Sequence, residues 1–270
     1  MLTMHIVDLN ISVSADKHTQ QILTKNYSGL IQTSAEPCQL EYITSYNSDS
    51  QLYHLSKAGN DIAQYDNLAD FVYFFEKELT IELQKLRPEL YFLHSAALKL
   101  GDKTILIIGH SGAGKSTTSW ALTHHGFEYF SDELSPIDLN TMHVTGYPHA
   151  VCVKQDPPAP FLLPESTLIT NRTKHIPVEC LPTGVAKATA KITHIFFVQY
   201  QVDQHEVAIK PISSALASAK IYANALNQLC HADSGLPAAT KIAMACDSYS
   251  LEFNNVEQAC LGIRKLIQSN

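Results

Sequence analysis

A mixed-sheet α/β fold, preceded by a small α+β region, is what this 270-residue sequence predicts. Three observations carry that expectation. The apolar run Thr104-Ile105-Leu106-Ile107-Ile108 is delivered into a glycine-rich turn, Gly109-His110-Ser111-Gly112-Ala113-Gly114-Lys115-Ser116-Thr117, with a helical stretch to His124 behind it. Tyr91 to Leu100 is a second strand-like run, separated from the first by the turn-forming Gly101-Asp102-Lys103. The strand before the glycine-rich turn is therefore the second arm of a hairpin, not the end of a parallel crossover. Ahead of both runs, a helical stripe stopped by Pro88 closes a region with strands of its own.

The glycine-rich turn matches the phosphate-binding P-loop pattern G-x-x-x-x-G-K-[ST], with a strand before it and a helix after it. Gly109, Gly112 and Gly114 let the backbone adopt positive φ and bring its N–H groups up to phosphate oxygens, where a Cβ would collide. Lys115 supplies a positive charge for the β- and γ-phosphates, and Ser116 offers a hydroxyl to a bridging Mg²⁺. The helix from Thr117 to His124 points its positive dipole end at the same place. No guanine-reading Asn-Lys-x-Asp motif occurs, so ATP is the expected nucleotide and Mg²⁺ its metal. An ABC-type ATPase is disfavoured by the lack of its glycine-rich signature.

The bulk numbers bound the partners. A formal net charge of −7, with no dense Lys/Arg cluster, speaks against a nucleic-acid partner. Cys38, Cys152, Cys180, Cys230, Cys246 and Cys260 are scattered, with no C-x-x-C pair, and read as free thiols of a reducing cytoplasm. No apolar run approaches the ~20 residues that span a bilayer, and Met1 to Asn10 lacks a signal-peptide core, so a cytoplasmic protein without membrane contact is expected.

Residues 1–88 read as an accessory N-terminal region and 89–270 as the P-loop catalytic domain. In the first, Met4 to Ser14 alternates as a strand, Gln20 to Leu30 suits a short helix, and Leu40 to Tyr46 with Gln51 to Leu55 suits a hairpin across Asn47-Ser48-Asp49-Ser50. Asp66 is placed to cap a helix from Asn67 to Leu86 whose apolar face is Leu68, Phe71, Val72, Phe75, Leu79, Leu83 and Leu86. In the second, His94 lies in the first hairpin arm, where a lone histidine is ordinarily structural. Gly126 stops the P-loop helix, and Phe127 to Phe130 forms a short strand ending in Ser131-Asp132-Glu133. Paired carboxylates there, one helix and one returning strand after Lys115, are what such a site needs for its metal shell and for activating a nucleophile. Tyr147 to Lys154 reads as a strand ending in a lysine, followed by a proline-rich loop from Asp156 to Pro164. Arginine occurs only at 87, 172 and 264; Arg172, in the basic cluster Asn171 to His175, joins Lys154 as a candidate phosphate or acceptor contact. Lys191 to Tyr200 holds a buried strand, Ser213 to Leu229 and Pro237 to Ala245 are helical, Ser248 to Phe253 is a strand, and Val256 to Ile267 a closing helix.

The constellation Leu93-His94-Ser95-Ala96-Ala97, Gly109 to Thr117, Gly126-Phe127 and Ser131-Asp132-Glu133-Leu134 resembles the catalytic domain of HPr kinase/phosphorylase, and more closely the shorter HPr-kinase-related proteins of peptide-modification gene neighbourhoods. The resemblance continues more weakly through Tyr147 to Lys154, Ala223 to Asn227 and Cys246 to Phe253, about the last two-thirds of the chain. It implies the fold shared with ATP-dependent phosphoenolpyruvate carboxykinase, a mixed sheet with its P-loop after a hairpin. It also implies Lys115 on the phosphates, Ser116 on Mg²⁺, His94 near the transferred phosphoryl group, and Asp132 and Glu133 near the metal and the acceptor hydroxyl. The family's base aligns with Glu133 in place of an aspartate, which leaves open whether Glu133 or Asp132 takes the proton. A Leu-Glu-Ile-Arg-Gly-like stretch is absent, so neither HPr as substrate nor phosphorolysis is implied. Relatives suggest a homo-oligomer.

The expectation is an ATP-dependent kinase passing the γ-phosphate to a hydroxyl, first of all a serine of a peptide or protein. The alternatives are a small-molecule alcohol or sugar kinase, and a nucleotide-gated binding module with little turnover.

Overall fold

In the computed structural model, which describes residues 1–33, 36–186 and 188–269, the first expected strand is two. Positions 34, 35, 187 and 270 of the two expected regions lie outside the described residues. β1 (Leu2–Ile6) and β2 (Leu9–Ala15) pair antiparallel around Val7 and Asp8, whose φ values are 45° and 62°. Two left-handed central residues make the tight turn that suits strand twist. Valine and aspartate stand where asparagine-glycine usually announces it, so the single strand over Met4 to Ser14 is corrected to a hairpin. α1 (Lys17–Tyr27) begins before Gln20 because Asp16 caps it, accepting from the Thr19 N–H at 2.8 Å. β3 (Leu40–Asn47) lies parallel to β2 and pairs antiparallel with β4 (Leu52–Lys57) across the expected turn. A further strand that the sequence reading missed, β5 (Asn60–Tyr65), follows a second left-handed pair, Ala58 and Gly59. α2 (Leu68–Leu86) is capped by Asn67, which accepts from the Asp70 N–H at 2.8 Å, in place of Asp66. Phe71, Val72, Phe75, Leu79 and Leu83 face inward as expected, whereas Leu86 is exposed. Leu90, Phe92, Leu134 and Tyr147 belong to the same apolar cluster, so this core continues past residue 88.

The larger sheet carries the P-loop. The expected strand over Tyr91 to Leu100 is broken into β6 (Tyr91–Leu93) and β7 (Ala96–Leu100), which pair with different neighbours. The break is pinned by the buried Ser95, whose hydroxyl donates to Ser135 Oγ at 2.8 Å. β7 and β8 (Lys103–Ile108) form the expected antiparallel hairpin, with Gly101 at φ 61°. After α3 (Lys115–His124), β9 (Glu128–Ser131) pairs with β7. The short β10 (Ser135–Asp138) and β11 (His143–Val144) lead to a small separate sheet of β12 (Val151–Val153), β13 (Leu168–Ile169) and β14 (Lys174–Ile176), so the strand expected over Tyr147 to Lys154 shrinks to three residues. β15 (Ala190–Tyr200) runs parallel to both β8 and β17 (Asp247–Phe253), and β16 (Ala208–Pro211) edges the latter. The order across this part of the sheet is β9-β7-β8-β15-β17-β16, with both senses of pairing: a mixed α/β architecture.

Period-2 alternation explains why β8 reads as one apolar run. Ile105 and Ile107 pack with Ala121 and Leu122 of α3 and Ile263 of α6 (Val256–Ser269) on one face. Leu106 and Ile108 pack with Ile221 of α4 (Ser214–Ala223) and Ile242 of α5 (Leu236–Ala245) on the other. Each such side chain contributes about 1.5–3 kcal/mol on burial, and together they hold the P-loop strand rigid. The helix expected to reach Leu229 stops at Ala223, because the Leu226 N–H leaves it to donate to Phe92 O at 2.8 Å. All six cysteines are free thiols. Among the described residues no helix is long and apolar enough to cross a membrane.

Candidate active site

β8 ends at Ile108 and the chain turns through the glycines into α3. Gly112 and Gly114 take φ of 86° and 90°, as the motif requires. Gly109 has no positive φ and is needed for space: a Cβ there would lie 2.9 Å from Val198 Cγ2 and 3.0 Å from Ala113 Cβ. The loop is tied across itself by the Ala113 N–H on His110 O at 3.0 Å, and to β15 by the Tyr200 N–H on Ala113 O at 3.0 Å. His110 and Ser111 are exposed at its rim, and Ser116 and Thr117 sit half-buried on the first turn of α3.

Lys115 is only 7% exposed, and its ammonium donates to the Asp132 carbonyl while lying 3.4 Å from Asp132 Oδ1 and 3.6 Å from Glu133 Oε1. The strand order accounts for this: β9 delivers the two carboxylates one strand beyond β7, beside the P-loop that β8 delivers. Burial pulls the Lys115 ammonium downward, but Asp132 and then Glu133 outweigh it, so its pKa stands above the ordinary lysine value. The two acids are not equivalent. The Asp132 side chain is fully buried, with Oδ2 accepting from the Cys152 N–H at 3.3 Å. That of Glu133 is about one-third exposed, with Oε2 3.2 Å from His94 Nδ1. His94 is positioned by its own N–H, which donates to Asn224 O at 2.9 Å. Burial, then Lys115, lowers the His94 pKa against the opposing pull of Glu133 and Asp132. His94 therefore favours its neutral form more than a free imidazole does.

Of the expected site residues, the fold thus gathers His94, Lys115, Asp132 and Glu133 around the P-loop. Lys154 joins them from just past β12, its ammonium donating to Ser111 Oγ. Arg172 does not. Its guanidinium pairs with Asp70 Oδ1 at 2.5 Å and lies 5.6 Å over the Tyr73 ring, tied to α2.

Behind Asp132 lies a buried polar group that sequence reasoning missed. His149, 1% exposed, has Nε2 2.9 Å from Glu76 Oε1 on α2. Cys152 Sγ lies 3.2 Å from His175 Nδ1, and His175 Nε2 is 2.8 Å from Thr173 Oγ1. Burial pushes the Cys152 thiol well up, so it stays protonated, and pushes His175 down to about 4. Burial opposes the charge on His149, yet Glu76 raises its pKa. The one sequence signal was a glutamate beside the apolar stripe of α2.

Among the described residues no group of three or more His, Cys, Asp and Glu could hold a metal alone. Mg²⁺ does not ask for one: it takes one or two carboxylates with phosphate oxygens and waters. The hard oxygens of Ser116, Asp132 and Glu133, beside the glycine-rich turn, fit it.

No protein-family model matches the chain, and no curated protein matches it. Among solved structures, that of the Hpr(Ser) kinase/phosphatase from Coxiella burnetii aligns over 66% of this chain and 88% of that one, at 12% identity and a TM-score of 0.34, a distant likeness in fold.

Proposed function

We propose that this chain is an ATP- and Mg²⁺-dependent phosphotransferase that moves the γ-phosphoryl group to an alcohol, with a serine hydroxyl of a peptide or protein as the favoured acceptor. The observation that carries the reading is the Lys115 ammonium, held in a P-loop and at the same time within 3.6 Å of two carboxylates. One buried acid would serve a metal in nucleotide holding alone; a second, one-third exposed acid beside it is what transfer to an incoming alcohol calls for.

In this reading the N–H groups of Gly112, Gly114, Lys115 and Ser116 orient the phosphates and Lys115 neutralises charge on the transferring group. Glu133 accepts the proton of the acceptor hydroxyl as its oxygen bonds to the γ-phosphorus and the bond to the β-phosphate oxygen breaks, releasing ADP. What supports Glu133 over Asp132 is accessibility: both Asp132 oxygens lie against Lys115 and the Cys152 N–H, away from solvent. His94, with Nδ1 3.2 Å from Glu133 Oε2, orients it. Ser116, Asp132 and Glu133 would hold a Mg²⁺ ion, which when bound would supply positive charge against the phosphates. The test is transfer of labelled γ-phosphate to a panel of peptides and small alcohols, with Lys115→Ala as control. Transfer surviving in that variant overturns the reading.

A further inference from the structure

We infer that the ring of Tyr200 is the platform on which the base of the bound nucleotide stacks. This rests on the P-loop reading and extends it to the end of the ligand that none of the expected site residues touches.

Strand order gives the direction. The acidic pair follows β9, two strands to one side of β8; Tyr200 ends β15, the neighbour on the other side. Because β15 runs parallel to β8, its carboxyl end lies at the same edge of the sheet as the P-loop, the edge at which α/β sheets receive ligands. A triphosphate whose γ end meets Lys115, Asp132 and Glu133 therefore carries its nucleoside toward β15.

Tyr200 is fixed at that spot. Its N–H donates to Ala113 O at 3.0 Å, and its Cβ lies 3.5 Å from where a Cβ on Gly114 would sit. Yet its side chain is spare: Tyr200 is 46% exposed although Phe197 and Val198 before it are buried. Phe253 meets the ring edge to face, with centroids 5.9 Å apart at 75°, and so covers at most one of its two faces. The other large exposed aromatic rings among the described residues, Tyr73 and Phe74, sit on α2 of the accessory region. A rigidly rooted, half-exposed ring beside a phosphate cradle loses little side-chain entropy on stacking.

The experiment is calorimetric titration of the full chain, Tyr200→Ala and Tyr200→Phe with ATP and with inorganic tripolyphosphate, all in Mg²⁺. Loss of a base-stacking contact weakens binding about 5- to 150-fold. The inference expects that loss for ATP in Tyr200→Ala, unchanged tripolyphosphate affinity in the same variant, and near-native ATP affinity in Tyr200→Phe, which keeps the face and drops the hydroxyl. Unaltered ATP affinity in Tyr200→Ala overturns it, as does equal loss for both ligands or a Tyr200→Phe variant as weak as the alanine. If the unaltered chain binds tripolyphosphate and not ATP, the platform is refuted and the P-loop stands; if it binds neither, both fall together.

Discussion

Lys115 and Asp132 are buried to 7% and 0% exposure, so their pairing is a matter of stability as well as chemistry. Lys115→Met keeps the bulk of the side chain and removes its charge, leaving the Asp132 carboxylate with the Cys152 N–H as its remaining hydrogen-bond donor. Removing one partner from a buried pair costs about 3–5 kcal/mol, because the other charge stays desolvated. At roughly 2–4 °C per kcal/mol for a chain near this size, the melting temperature falls by about 6–20 °C. The double variant Lys115→Met with Asp132→Asn replaces the orphaned charge by a neutral amide that can still accept from Cys152, and regains most of the lost stability. It regains no phosphotransfer, since nothing neutralises the γ-phosphate. Thermal melts followed by circular dichroism, with a transfer assay on the same samples, check both halves. A Lys115→Met chain that melts within about 2 °C of the unaltered one refutes the reasoning, as does a double variant no more stable than the single.

Other expectations follow from the same geometry. Glu133→Gln lowers kcat by about 10²–10⁴, read from steady-state rates. Lys154→Ala weakens ATP binding about fivefold or more by removing a cation from the P-loop rim, whereas Arg172→Ala leaves ATP binding unchanged and costs at most about 1 kcal/mol of stability, its pair with Asp70 being half-exposed. His175 has a folded pKa of about 4 against an unfolded value of 6.5. The unfolded chain therefore binds the extra proton first as pH falls, so the stability this residue contributes is complete above pH 6.5 and is lost between there and about pH 4, on the order of 3 kcal/mol in all. Urea melts of His175→Asn should show a correspondingly flatter decline over that window; His149, raised by Glu76, acts with the opposite sign at higher pH.

How much of this was legible in the sequence depended on how local its cause is. The P-loop, its hairpin and the helix behind it could be read because glycine spacing and β8's apolar run are properties of adjacent residues. The acidic pair could be read for the same reason, standing one helix and one strand later. His94 could be placed by resemblance alone, since what gives it a partner is a chain break at Ser95 fixed by Ser135, forty residues on. The pairing of Arg172 with Asp70 could not be read, because scarcity of arginine says nothing of what a carboxylate on α2 will claim. Val7-Asp8 and Ala58-Gly59 turns escaped notice because Val7, Asp8 and Ala58 take left-handed backbone that their residue types do not advertise. The Glu76–His149 contact joins two elements whose adjacency only the finished core determines.

The central claim is tested most directly by a single-turnover reaction of the full chain with γ-labelled ATP, Mg²⁺ and a hydroxyl-bearing peptide. The account predicts label in a phosphoester on the peptide, equal in amount to the ADP formed and abolished by replacing the acceptor serine with alanine or Lys115 with alanine. Label recovered only as inorganic phosphate across peptide and small-alcohol acceptors alike, or transfer that persists without Lys115, contradicts it.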